Sequence, residues 1–557
     1  MRYRSVTFQP YSRVLWSLLV AFMLLPVHAG AQRKALAASE RHYRNGLALA
    51  KNNDLKSAAE SFRKATQLAP AHFAAHLNLG RVLSQLGDLE GAVAALQKAA
   101  SLKPAAAEPH VLLGVVLQQR GDVETALKEF REALRLDPQS AEAHSYLGFL
   151  LGTQGKLPES ISEFETAVKL KPDLAEAHYY LGAARWFSND VAGAISALKI
   201  AARMLPEHVN AHYYLGLALQ KSGDTRGAIG ALGLAVKLAP EMIEPRHVMG
   251  LALQQDEDLD GAIAAFRTVI KLKPDFVPVY NDLGLAFVQK RDPEGAVAAF
   301  NAALRLDPNN LIAHHNLGMA LIQKSDYAGA VAQYEKLTRL APDDAEAHYN
   351  LALALKQKDE FDEAVAALRK AIALQPTLPE AHYTLGVILL QQSKLAEAAA
   401  AFKAATGAKR DYPEAHYSLG TVLQQQGDLD GAIAAFREAL KHTPNAPEIH
   451  NTLGTALRQK GDMAAARAEF QEAARLNKLK SNMQAAVFAT NTGIAFLKEG
   501  QLDEAIERLQ TAVNTDPTNA QSHYHLAKAF KLKGQGAAAQ AAYEKAKTLD
   551  PRLPPLP

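Results

Sequence analysis

Histidine returns at intervals that are multiples of 34 residues, at His42, His76, His110, His144, His178, His212, His314, His348, His382, His416 and His450, and once more at His523, displaced by five further residues. Imidazole can ligate a metal, move a proton or donate a hydrogen bond in a packed interface. Zinc needs several such nitrogens within about 2.1 Å, whereas packed helices stand about 8–10 Å apart, so consecutive members of a regular ladder do not share an ion. The neighbours His314 and His315 diverge by about 100° on a helix and fare no better. No metal site is therefore expected, and the ladder reads as packing. If these histidines are buried and neutral, the unfolded chain binds more protons at mildly acidic pH and stability falls there.

Other chemistry is equally hard to find. Ser, His and Asp recur in register, no acid–base pair or nucleophile stands apart from the repeat, and cysteine is absent, which removes disulfides and thiolate chemistry. No catalytic residue, cofactor or enzyme activity is expected. The glycines of "GAIGALG" at 227–233 lack a preceding strand and fall where a helix is expected, so they read as close helix packing rather than a phosphate cradle. The most distinctive stretch is "AEAHYYLGAARWF" at 175–187, where His178 is followed by Tyr179 and Tyr180 and the segment closes on Trp186 and Phe187.

Thirteen consecutive rows of 34 residues fit the chain from Ser39 to Lys480. Five extra residues, 481–485, precede two further rows, 486–519 and 520–553. The eighth place is Gly in thirteen of the fifteen rows and Ala in the others, Ala352 and Ala527. Place 20 is Ala except at Ser160, place 24 is always large and apolar, and place 32 is Pro except at Arg410 and Lys478. Places 4, 7, 8 and 11 share one face of a helix, as in His178, Leu181, Gly182 and Arg185, the last an atypical member of a core stripe. Turn pairs such as Gly87-Asp88, Gly121-Asp122 and Gly427-Asp428 separate two helices, and the proline stops the second. One such hairpin cannot bury its apolar face alone, so the rows must stack into an all-α solenoid.

This pattern resembles the tetratricopeptide repeat, whose helix-turn-helix unit has the same period, an early Leu-Gly, a later Ala and Phe, and a closing Pro. The resemblance covers residues 39–553, with His in place of the family's early Trp in twelve rows. It implies a right-handed superhelical solenoid of about fifteen repeats whose inner wall is built by the first helix of each. It further implies a non-catalytic scaffold or adaptor that binds extended polypeptide segments in its concave groove. The Lys and Asn of the carboxylate-clamp members are replaced here mainly by Tyr, Leu and Glu, and the asparagine ladder of the glycosyltransferase relatives is mostly missing, so neither ligand carries over.

On the first helix, places 2, 5, 9, 12 and 13 form a face distinct from the core stripe. Place 13 is Gln in nine rows, and an amide that both donates and accepts suits an extended main chain, although Gln is also a good exposed helix former. Place 5 is Tyr in seven rows, and Glu fills place 2 in nine, where it favours the positive end of the helix. Trp186 and Phe187 replace the polar pairs seen at Gln118-Gln119 and Gln254-Gln255. With Tyr146, Tyr180 and Tyr214 nearby, the expected ligand-binding groove residues are Tyr179, Trp186, Phe187, Tyr213, Gln220, Gln254 and Gln255.

The N-terminal segment differs from the rest. Arg2, Arg4 and Arg13 precede or open the apolar run Val14–Val27, and Ala29-Gly30-Ala31 follows, so residues 1–31 read as an export signal, with an N-terminal membrane anchor as the alternative. A short linker, 32–38, leads into the repeats, and a Pro-rich tail, 554–557, follows them. Removal after Ala31 takes three of 61 basic residues and none of the 58 acidic ones, leaving a balanced chain poorly suited to nucleic acid. The expected protein is exported, periplasmic or secreted, without a transmembrane span once the signal is gone, and engages protein or peptide partners. The alternative is an accessory subunit of an envelope glycosyltransferase or polysaccharide-export complex that contacts glycans.

Overall fold

The computed structural model describes residues 12–556, with side chains from Gln32 onward, and among these residues there are 29 helices and no strand. The export signal read at 1–31 lies outside the described residues over 1–11 and in its side chains through Ala31. The backbone of Ser12–Lys51 is one helix, and it takes in the stretch 32–38 read as a linker. Among the described residues, no helix is long and apolar enough to cross a membrane.

Repeat 12 illustrates how the sequence makes each unit. Its helices are Pro413–Gln425 and Leu429–His442. Between them Gly427 turns the chain at φ 85°, a left-handed conformation that glycine adopts without strain. Asp428 then accepts a hydrogen bond from Gly431 N at 2.9 Å, capping the second helix, an interaction that contributes about 1 kcal/mol. The same turn recurs once per repeat, so the positive-φ residues are Gly at eight turns and Asn53, Asn189, Glu257, Arg291, Ser325, Asp359 and Ser393 at the others. Second helices close just before the proline, as Leu102 does before Pro104 and Leu136 before Pro138.

The two helices of a repeat meet where place 8 faces place 24. A Cβ on Gly420 would stand 2.6 Å from the Phe436 ring, and one on Gly80 would stand 2.4 Å from Leu96 Cγ. Glycine at these two positions is thus fixed by close approach. Phe436 and Leu96 are fully buried, a burial that contributes about 1.5–3 kcal/mol for each side chain. Ala432 and Ala92, at place 20, are also fully buried. Where Ser160 stands instead, its hydroxyl donates to Gly148 O at 2.7 Å and so carries no unmet polar cost.

The histidine ladder joins one repeat to the next. In His76, His144, His178, His212, His314, His348, His382, His416, His450 and His523, Nε2 lies 2.9 to 3.1 Å from the main-chain carbonyl six residues earlier. That carbonyl belongs to the inter-repeat proline, or to Arg410 in the case of His416. Where histidine is missing, Arg246 donates to Pro240 O at 3.1 Å and Tyr280 to Pro274 O at 2.8 Å. Place 4 therefore holds a donor that clasps the end of the preceding repeat. Ala489, which has no donor, falls in the helix Met463–Lys498, where repeats 13 and 14 run together through residues 481–485 without a proline stop.

Two expectations need correction. The glycines of 227–233 lie in the helix Thr225–Leu238 as expected, but a Cβ on Gly230 or Gly233 would meet nothing within 4 Å. Close packing does not require either of them. Arg185 departs from the core stripe, reaching Glu165 at 2.6 Å and Gly193 O at 3.3 Å, so it ties the second helix of repeat 4 to that of repeat 5.

The chain divides into two compact units, Met1–Asp292 and Pro293–Pro557. Within each, helices pack on their neighbours in chain order, as a solenoid requires.

Candidate functional site

All seven residues singled out from the sequence lie in the first unit, on the first helices of repeats 5, 6 and 7: Ala175–Phe187, Val209–Ser222 and Ile243–Gln255. In this unit the first helices of repeats 2 through 8 touch one another in succession, in addition to packing on second helices. That direct contact makes them a continuous wall, and the side chains at places 5, 6, 12 and 13 knit it together. Tyr43 Oη accepts from Asn78 Nδ2 at 3.4 Å, His247 Nε2 meets Asp282 Oδ2 at 2.6 Å, and Ser84 Oγ donates to Gln119 Oε1 at 3.1 Å. Part of the tyrosine and glutamine pattern is therefore joinery between repeats, which the second unit repeats at Tyr417–Thr452 and Gln424–Gln459.

Against that background the candidates separate by availability. Tyr179 is half-buried against His208, Tyr180 and Tyr214, with ring centroids at 4.4, 5.0 and 6.4 Å. Burial, reinforced by the Tyr214 and Tyr180 hydroxyls and opposed by a hydrogen bond with Asn210, pushes its phenol up to about 12. It stays protonated and acts as a donor. Tyr213 packs on Tyr214 at 5.4 Å, and burial likewise raises its phenol above the ordinary value. Trp186 rests partly on the core of repeats 5 to 7. One of its faces is covered by the Lys221 ammonium, 5.4 Å from the ring and itself held by Asn189 Oδ1 at 2.6 Å. Phe187 is the open member, 61% exposed, with its ring against Tyr214 at 5.8 Å.

The structure thus brings Tyr179, Tyr213 and Phe187 together around Tyr214, with Trp186 packed on the same core cluster as the tyrosines. Gln220, Gln254 and Gln255 stand apart from the ring contacts, and their side-chain amides have no hydrogen-bond partner among the described residues. Free amides on the same wall as an exposed ring offer groups for a main chain and for an apolar side chain. The described residues also hold no group of three or more His, Asp or Glu placed to bind a metal ion.

Sequence reasoning passed over a cleft of about 370 Å³ one repeat earlier, between the first helices of repeats 3, 4 and 5, with Ser145, Phe149 and Tyr180 in its lining. The available signal was Ser145, the smallest residue at a place where seven repeats have tyrosine.

Comparison with known proteins agrees with this construction. A model of the tetratricopeptide repeat matches residues 43–107, 179–243, 247–310, 315–379, 354–416 and 417–479. Two further repeat models match 117–155, 153–186 and 493–534, and 520–553. The comparison with curated proteins gives no match. Among solved structures, YrrB, described as a TPR protein with an unusual peptide-binding site, is 24% identical, covering 33% of this chain and 96% of its own, with a TM-score of 0.32. MamA is 30% identical over 30% of this chain and 91% of its own, with a TM-score of 0.29. Yeast Tom70 is 19% identical over 78% of this chain and 99% of its own, with a TM-score of 0.34. Because the matching family model spans more than half of the sequence, in register with the helix pairs and turns described above, the chain belongs to the tetratricopeptide repeat family.

Proposed function

We propose that this protein is a non-catalytic interaction scaffold whose first-helix wall takes extended polypeptide segments. The observation that carries the reading is the patch at repeats 5 to 7, where exposed Phe187 stands on a tyrosine cluster and the amides of Gln220, Gln254 and Gln255 are free of partners. An extended strand presents unpaired N–H and C=O groups and alternating side chains, and this mixture of amides and rings suits both. We further propose that the chain is exported to the cell envelope, on the strength of the arginine-led apolar segment that ends near Ala31.

A peptide library screened against the full chain tests the first proposal. A bound peptide is expected to alter Trp186 emission, and Phe187→Ala is expected to weaken it about tenfold, the scale of an aromatic anchor in an interface. Binding only to glycans, or peptide binding that ignores both Phe187→Ala and the Gln254→Ala, Gln255→Ala pair, overturns it. N-terminal sequencing of protein recovered from fractionated cells tests the second, with a mature chain beginning at Gln32 as the expected result. Uncleaved protein confined to the cytoplasm counts against it.

A further inference from the structure

The cleft beside Ser145 has a chemistry unlike the rest of the wall. Tyr146, Phe149 and Tyr180 supply its aromatic sides, with Phe149 and Tyr180 edge to face at 5.1 Å and Tyr146 stacked on Phe130 at 5.5 Å. Glu142 and Glu176 stand at its rim. Glu142 is already engaged, its Oε1 meeting Lys171 Nζ at 2.8 Å, and that ammonium holds its carboxyl below the usual range. Glu176 has no side-chain partner among the described residues, so the Glu142, Lys171 and Glu176 group carries one surplus negative charge. The phenol of Tyr180 is pushed up by burial and then by Glu176, which places that carboxylate's field on the ring. In the wall, Gln118 Oε1 is shielded from solvent and meets no donor.

Ring faces attract cations, a lone carboxylate adds a charged acceptor, and an amide oxygen without a donor adds a neutral one. Lysine could answer the charge, but a guanidinium also stacks flat on a tyrosine ring while its five N–H groups serve several acceptors at once. We infer that this cleft receives an arginine side chain of the bound polypeptide, with Glu176 and the Tyr146 and Tyr180 rings as its principal contacts. The inference rests on the reading of the wall as a polypeptide-binding surface and adds the residue class that it selects. Ser145 makes room for the guest.

The test uses the full-length protein and ligand-observed NMR with acetyl-Gly-Arg-Gly-amide and its citrulline counterpart, which keeps the shape of arginine and loses the charge. The arginine peptide is expected to bind, and both citrulline and Glu176→Gln are expected to weaken binding about tenfold, the scale of one charged hydrogen bond. Ser145→Tyr is expected to abolish binding without lowering the melting temperature, since it installs the residue that seven other repeats carry at this place. Failure of the arginine peptide to bind, equal binding of the two peptides, or indifference to Ser145→Tyr overturns the inference. A longer library peptide whose binding falls with Phe187→Ala but not with Ser145→Tyr removes the arginine cleft and leaves the wall reading in place. A library that yields no peptide at all removes the wall reading itself.

Discussion

The histidine of each clasp donates from Nε2 to a carbonyl, and at two of them, His450 and His76, the rest of the ring's surroundings set how the joint answers pH. At His450, Nδ1 meets Glu469 at 2.6 Å. Burial there presses the imidazole pKa down, but the Glu469 hydrogen bond, the Pro444 carbonyl and the charges of Glu469 and Glu472 together raise it above the usual 6.5. At His76 burial dominates, aided by Lys98 and His72, and outweighs the Pro70 carbonyl, so its pKa falls below 6.5. The signs are opposite. His450 contributes stability that is fully present below its unfolded pKa and lost as pH rises through the higher folded value. His76 contributes stability present above its unfolded pKa and lost as pH falls through the lower folded one. Histidine-labelled NMR is expected to show His450 titrating above 6.5 and His76 below it, with Glu469→Gln bringing His450 down. A common midpoint for the two would contradict the assignment. The uniform acid sensitivity expected from the sequence is thereby corrected at His450. Helical periodicity placed the ladder on the core stripe, yet periodicity reports faces and not hydrogen bonds. The missed signal was that Arg246 and Tyr280, the substitutes for histidine, are donors too.

Within single elements the backbone sets the tolerances. The left-handed turn is a property of the hairpin, because the ladder from the first helix and the cap of the second impose it whatever residue occupies it. At Glu257, φ is 64°, a conformation that costs an L-residue about 1 kcal/mol. Glu257→Gly is therefore expected to stabilise repeat 7 by about 0.5–1 kcal/mol, and Gly427→Ala to destabilise repeat 12 by a similar amount. Urea denaturation compares them, and a shift of the same sign in both would break the argument. Gly230 and Gly233 present the converse case. They sit inside a helix with open space where a side chain would go, so replacing either with alanine is expected to add about 1 kcal/mol of stability, read in the same experiment. Lower stability in both variants would mean that a close contact does exist there. The helix pairs and their period were legible because Gly at place 8, Ala at place 20 and Pro at place 32 each answer a steric demand of one repeat. The seven turns without glycine were not legible one by one, since nothing local in Ser393 or Arg291 asks for positive φ. The same limit hid the cleft at Ser145, which exists through the absence of a ring and not through any motif.

Across a whole unit, cohesion is local. Each helix packs on the next and on the neighbouring repeat, so a defect should stay near its origin instead of dissolving the fold. Gly420→Ala offers a clean defect, because its Cβ would lie 2.6 Å from the fully buried Phe436 ring, which must shift to admit it. Overpacking of this kind costs about 1–3 kcal/mol, and every 1.4 kcal/mol corresponds to about a tenfold change in the population of the open state. Hydrogen exchange on the full chain is expected to show protection falling about tenfold to a hundredfold in repeats 11 to 13, where the affected helices and their immediate partners lie, with repeats 2 to 6 unchanged. The helix Met463–Lys498 sets the boundary to examine on the C-terminal side, because it has no proline break between repeats 13 and 14 and should pass the loosening further than an ordinary joint does. Equal loss of protection in every repeat would mean that the chain opens as one cooperative block, and nearest-neighbour stacking would then fail as the account of its stability.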